Sequence, residues 1–306
     1  MLLERERELA AIEAALATGA GGDGTLLFVE AGPGLGKSRL LAAGADQAVD
    51  RGWRVLRSQG SELERGHSMG LVLQLFGALV AGAQSVERDD LLGGAANLAR
   101  PLLEGDWTVS GSSADEQMFA LLHGLYWLTS NLAERGPLVL VVDDAHWADR
   151  SSLRFLVYLA QRARELPLAM LVSARPAEPG AQEDLLRQIK AGPEGSTVRP
   201  AALSRQAAAA VVDRRMPGAE QPFADACAAV TDGNPYLLSE LLSDLTDREV
   251  APTAHGAGPR ADGRRRPCLS GRAVRAGRKL GDGNDGQQSG DDGLARLSSQ
   301  RSTGGR

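Results

Sequence analysis

A chain of 306 residues has room for one large α/β domain and a smaller helical one. Its 43% apolar content supplies a core of Leu, Val and Ala, because aromatics make up only 4%. A net charge of −5 excludes the basic excess of a general nucleic-acid binder, and no run reaches the roughly 18 uninterrupted apolar residues of a membrane span.

The chain opens on "MLLERERELAAIEAAL", charged from Glu4 and helical in period, with Leu9, Ile12, Ala15 and Leu16 on one face. It is not a signal peptide. Cys227 and Cys268 form no metal-like or redox-like pair, which suits a reducing cytosol, so a cytoplasmic protein with no membrane partner is expected. "TLLFVE" (25–30) predicts a short buried strand and "SRLLAAGADQAVDR" the helix after a glycine-rich turn. "WRVLRSQG" (53–60) predicts a second strand. Helices follow over 70–80 and 114–135, the latter with an apolar face of Phe119, Leu122, Leu125, Tyr126 and Leu132. The unbroken Val/Leu run of 137–144 predicts a strand buried on both faces of a parallel sheet. A helix over 151–165, capped by Asp149 or Ser151, a strand over 168–176 and a helix over 182–190 continue the alternation of a three-layer α/β fold. From about residue 203 only short helices between Gly/Pro turns are expected. The division is therefore an α/β domain over 1–200, a helical lid over 201–250 and a Gly/Arg-rich tail over 251–306. That tail lacks Phe, Trp, Tyr, Ile and Glu, so it cannot bury enough apolar surface to order itself.

The chemistry is concentrated in "VEAGPGLGKSRLL" (29–41). A helix starting just after a glycine-rich turn offers free backbone N–H groups and the positive end of its dipole to an anion. Residues Ala31, Gly32, Pro33, Gly34, Leu35, Gly36, Lys37, Ser38 and Arg39 form the expected phosphate cradle. Lys37 supplies a charge for the β- and γ-phosphates and Ser38 a hydroxyl for Mg²⁺. Ala31 takes the place of the first glycine of the strict G-x-x-x-x-G-K-[ST] pattern. The strand ending in Asp143 and Asp144 supplies the acids such a cradle lacks: Asp143 to orient the metal beside Ser38, and Asp144 as general base toward water. Arg175, past the next strand, points to the crevice at the carboxyl edge of the sheet, where it would sense a γ-phosphate. In "DDAHWAD", Trp147 is expected in the core and His146 as a polar loop residue. ATP and Mg²⁺ are the ligands expected.

Taken in order, "LLERERELAAIEAAL", "VEAGPGLGKSRLL", "GSELERGHSMGLVLQLFGAL", "LVLVVDDAHWADRSSLRFLVYLAQR", "LVSARP" and "TDGNPYLLSELL" resemble the ATPase module of large LuxR-type transcriptional regulators. These are MalT-like members of the STAND branch of AAA-related P-loop ATPases, and the likeness covers roughly residues 1–247. It implies a parallel sheet with an extra strand between those of the phosphate loop and the acids. It also implies a lid whose Gly233-Asn234-Pro235 packs Pro235 against adenine, and an Arg5–Glu6 region near the base. Such modules switch between a compact ADP state and a self-associating ATP state, and hydrolyse slowly. Family members continue through helical repeats to a helix-turn-helix, and neither is visible in this sequence. A truncation, or a shifted reading of GC-rich coding sequence after about residue 250, is the expected reason. Two other readings share the same cradle: a DNA-associated AAA ATPase resembling origin-recognition proteins, and a P-loop small-molecule kinase.

Overall fold

The computed structural model describes residues 2–107, 114–192 and 195–253. In chain order the elements are α1 (Glu6–Ala20), β1 (Thr25–Glu30), α2 (Lys37–Asp50), β2 (Arg54–Gln59), α3 (Gly70–Gly82), α4 (Ser85–Leu91) and α5 (Arg100–Glu104). They continue with α6 (Ala114–Ala133), β3 (Leu138–Asp143), α7 (Arg150–Ala160), β4 (Leu168–Ala174), α8 (Glu183–Lys190), β5 (Gly195–Val198), α9 (Arg205–Arg215), α10 (Gln221–Thr231) and α11 (Pro235–Asp247).

Five parallel strands pair in the order β2-β3-β4-β1-β5. Alternate side chains of a strand face opposite ways, and here both faces are covered. Phe28, Leu140, Val142, Met170 and Val172 pack against α3, α6, α7 and α8. Leu27, Val29, Val139, Val141 and Leu171 pack against Ile12 and Leu16 of α1 and Leu40 and Leu41 of α2. That arrangement is why these strands read as unbroken apolar runs. The result is a three-layer α/β P-loop NTPase fold with β4 interposed between β1 and β3. Register pairs Glu30 with Ala174 and Gln59 with Asp143, so the strand tips finish along one edge. Beyond the sheet, α9–α11 enclose a separate small core around Phe223, Val212, Cys227, Leu238 and Leu242.

Several expectations change. The helix over 151–165 stops at Ala160: Arg162 folds back over the Tyr158 ring, 3.7 Å from its centroid, and Glu165 turns the chain with a φ of 74°. Asp149, not Ser151, caps that helix by accepting from the Ser152 N–H, and its same oxygen also accepts from Met69 N at the start of α3. Phe119 does not join the buried face of α6; it is 58% exposed, while Met118, Leu121, Leu122, Leu125, Leu128 and Leu132 form that face. Among the described residues no helix is long and apolar enough to cross a membrane. The expected disorder of the tail falls on 254–306, outside the described residues.

The α9–α11 core is small enough that one side chain matters greatly. Phe223→Ala, at a fully buried position, is expected to cost about 3–5 kcal/mol of local stability. Hydrogen exchange of α9–α11 against that of the sheet checks it: protection is lost in the helices and kept in the strands.

Candidate functional site

From the tip of β1 the chain turns sharply. Ala31 N–H donates to Ala174 O (3.3 Å), tying the loop's first residue to β4. Gly34 and Gly36 then take φ values of 76° and 90°, a region that side chains disfavour. Gly36 is the residue before α2 and offers no side-chain acceptor, so the first-turn amides of that helix gain no capping partner from it. Lys37 is 6% exposed and its Nζ donates to Gly32 O across the turn (3.2 Å). Burial lowers its pKa, opposed by the charges of Asp144, Asp143 and Glu178.

Tight packing explains why Gly34 is glycine. A Cβ there would lie 2.5 Å from Oδ1 of Asn234 and 3.0 Å from the Cβ of Tyr236. Asn234 Nδ2 donates to Pro33 O (3.1 Å), and Tyr236 N–H donates to Gly34 O (3.2 Å). The loop is thus covered by the start of α11. A second clamp comes from the N-terminal segment: buried Arg5 donates to Leu35 O (3.3 Å) and to Ala201 O (2.6 Å).

The two acids occupy different surroundings. Asp143 Oδ1 accepts from the Ser173 hydroxyl and from Asp144 N–H. Asp144 has a φ of 49°, and Gly60 fits beside it only for want of a Cβ, which would fall 2.3 Å from Asp144 O. Burial and the Asp143 charge raise the Asp144 pKa, against the pull of Lys37, Arg175 and a Gln59 hydrogen bond.

A cavity of about 410 Å³ collects most of the expected residues: Pro33, Gly34, Gly36, Lys37, Ser38 and Arg39 from the loop, Asp144 and Arg175 from the strand tips, and Pro235 from α11. Ala31, Gly32 and Leu35 complete the loop without lining that space; Gly32 and Leu35 are engaged through their carbonyls. Asp143 lines a neighbouring cavity of about 320 Å³, which also includes Ser38. The hydroxyl and carboxylate suited to a divalent ion therefore share one hollow. The curl that excludes a Cβ, the buried ammonium and this oxygen pair fit a phosphate with its metal.

Other participants escaped the sequence reading. Tyr236 and Ser239 line the larger cavity, and Ser173 links the two acids. Asn234 carries a legible signal, an amide just ahead of Pro235 at a helix start. Ser173 carries none, because its role arises from strand order. His146 and Trp147 exchange their expected places: His146 is fully buried and Trp147 half-buried. The His146 Nδ1 accepts from Arg175 N–H (3.3 Å). Burial, with Arg175, Lys37 and Arg65 close by, drives its pKa down to about 3.

A family model described as an AAA ATPase domain matches residues 1–172. Among solved structures, Cdc6p from Pyrobaculum aerophilum is 15% identical with a TM-score of 0.50, over 81% of this chain and 64% of that one. Drosophila ORC bound to DNA is 16% identical with a TM-score of 0.50, over 84% and 60%. A STAND protein with a tetratricopeptide repeat sensor from Pyrococcus horikoshii is 16% identical with a TM-score of 0.46, over 79% of this chain and 30% of that one. The chain thus spans less than two thirds of each. Likeness at these identities speaks for the fold alone. No curated protein matches the sequence.

His146 sets a pH dependence with a definite sign. Below its ordinary pKa of 6.5 the unfolded chain takes up a proton that the fold refuses down to about 3. Stability therefore falls with pH across that window, by about 1.4 kcal/mol per unit from this group. Urea midpoints measured against pH should show a flatter decline in His146→Gln, which keeps an acceptor for Arg175 N–H.

Proposed function

The chain belongs to the AAA ATPase domain family, and from that premise we propose that it is a Mg·ATP-dependent switch module of a LuxR-type transcriptional regulator. One observation carries the reading: Lys37, Ser38, Asp144 and Arg175, from three separate elements, surround one cavity beneath α11. In this proposal residues 1–200 form the nucleotide-binding body and 201–250 the lid. The loop from Ala31 to Arg39 wraps the phosphates with its amides, and Lys37 leaves Gly32 O for the β- and γ-phosphates. Ser38 and Asp143 hold the metal, which when bound supplies positive charge against the phosphate oxygens.

Asp144 is the proposed base. A carboxyl whose pKa is raised by burial and a neighbouring charge accepts a proton more readily than an exposed one. Arg175 senses the terminal phosphate, and Pro235 packs on adenine. Three cations (Lys37, Arg39, Arg175) against one acid (Asp144) give the cavity the surplus that a polyphosphate requires. The regulatory role rests on the ordered motifs between residues 1 and 247. With it come the family's slow hydrolysis and self-association in the ATP state.

The DNA-associated reading shares this site and differs in what drives turnover. Duplex DNA is expected to leave the ATPase rate unchanged, in keeping with a net charge of −5; a marked DNA-dependent acceleration would favour the alternative. Adding candidate small-molecule acceptors tests the kinase reading in the same assay, by phosphate appearing on the acceptor rather than free.

Two substitutions test the site itself. Lys37→Ala removes a charge-assisted contact, and ATP affinity should weaken by about 1.5–3 kcal/mol in a direct binding titration. An unchanged affinity would sink the nucleotide assignment. Asp144→Asn should retain ATP binding and slow hydrolysis roughly 100-fold or more, the usual size of a lost general base. Single-turnover phosphate release measures this, and a normal rate would remove Asp144 from the role.

A further inference from the structure

The cavity's charges are unevenly distributed. Its lining cations, Lys37, Arg39 and Arg175, all come from the loop or the strand tips. Among the described residues, α11 contributes Pro235, Tyr236 and Ser239 to the same lining, none of them charged. A lid that is to follow the state of the phosphates must therefore engage them through neutral groups.

Tyr236 is the lid residue best placed to do so. Its backbone is fixed twice, by N–H donation to Gly34 O (3.2 Å) and to Asn234 Oδ1 (3.1 Å). Its Cβ sits over Gly34 so closely that a methyl group there would come within 3.0 Å. Yet the side chain is 48% exposed, and its hydroxyl bonds to no described residue. A large aromatic residue whose Cβ is held over the phosphate turn, which lines the cavity and keeps an unused O–H donor, is unusual for a residue serving only to pack. Its backbone is bonded to the turn that carries the proposed phosphate contacts. It stands on the turn that leads into Gly36–Ser38, and it shares the lining with Asp144 and Arg175 from the strand tips.

Granting the ATP reading above, we propose that Tyr236 is the lid's contact to the terminal phosphate, its phenol O–H donating to a γ-phosphate oxygen. The lid then separates ATP from ADP by one neutral donor, with no cation of its own in the cavity lining. Such a bond forms with a charged acceptor and belongs to the stronger class of hydrogen bonds. It still attracts far less at a distance than a guanidinium would, so lid closure responds to the γ-phosphate only on contact.

The test compares the full chain with Tyr236→Phe, which keeps the ring and loses the donor. Calorimetric titrations with Mg²⁺ and either a non-hydrolysable ATP analogue or ADP give the two affinities. Removing the hydroxyl should weaken the analogue roughly tenfold and leave ADP within about twofold, with the nucleotide-free melting temperature unchanged. Inorganic tripolyphosphate and pyrophosphate, which carry no base, should show the same selective loss. An ATP-to-ADP affinity ratio equal to that of the wild type, whether both ligands weaken or neither does, overturns the proposal. Failure of the wild-type chain to bind either nucleotide would instead overturn the nucleotide reading, and this inference with it.

Discussion

The amide of Asn234 is the contact on which the candidate site depends. Its Oδ1 accepts from the N–H groups of Tyr236 and Leu237, starting α11, while its Nδ2 donates to Pro33 O. One side chain thus caps a helix and fastens that helix to the phosphate loop some 200 residues earlier in the chain. Two glycines make the arrangement feasible. Gly34 leaves room for the amide, and Gly233, with a φ of 68°, brings the chain so close to Leu203 that a Cβ would lie 2.2 Å from its carbonyl oxygen. The N-terminal segment reinforces the same join from the other side. Arg5 bridges Leu35 O and Ala201 O, and Glu4 accepts from the N–H and hydroxyl of Ser204 at the start of α9. The hydrogen bonds to Ser204 lower the Glu4 pKa. The loop, the helices α9–α11 and the N-terminal segment are therefore joined by one set of hydrogen bonds.

Strand order does the remaining work. With β4 between β1 and β3, the residues at and just past its tip fall between the phosphate loop and the acids. Ser173 is there to donate to Asp143 and to receive the Asp144 N–H, and Arg175 enters the cavity from the same strand end. His146 supports this arrangement from below: a fully buried imidazole accepting the backbone N–H of Arg175 holds the turn after β4 against the turn after β3. It can accept only while neutral, and burial keeps it so.

Much of this was legible in the sequence because local signals and tertiary demands agreed. The stretches 26–29, 138–142 and 168–172 are apolar at every position because both sheet faces are covered, and the glycine-rich turn is conspicuous because its backbone geometry demands glycine. What escaped notice is informative. β5 is four residues long, and its exposed edge positions carry Gly, Ser and Thr, so neither alternation nor an apolar run announces it. The apolar pattern of 114–135 includes Phe119, whereas the structure places it on the outer side of α6 beside His123 and Tyr158. Hydrophobicity alone orders His146 and Trp147 the other way. The 3-10 turn after Asp144 decides instead which of the two points inward, and it selects the smaller ring with a hydrogen-bonding nitrogen. Tyr236 carries no signal of its own in the sequence, since Pro235 already accounts for the helix start. Its setting follows only from the docking of α11.

The adjacent acids show how environment can divide two chemically identical groups, a general route to separate roles in one site. Asp143 lies at the strand's end, where its Oδ1 is held by a hydroxyl and an amide. Oriented in that way, it lines the hollow that includes the Ser38 hydroxyl, which suits a group whose proposed task is to stay in place beside a cation. Asp144 is turned away by its left-handed backbone into the other cavity, between Lys37 and Arg175. There burial and the charge next door favour its protonated form, and the two cations oppose them. A metal bound beside Asp143 would offset that neighbour's charge and so ease the ionisation of Asp144.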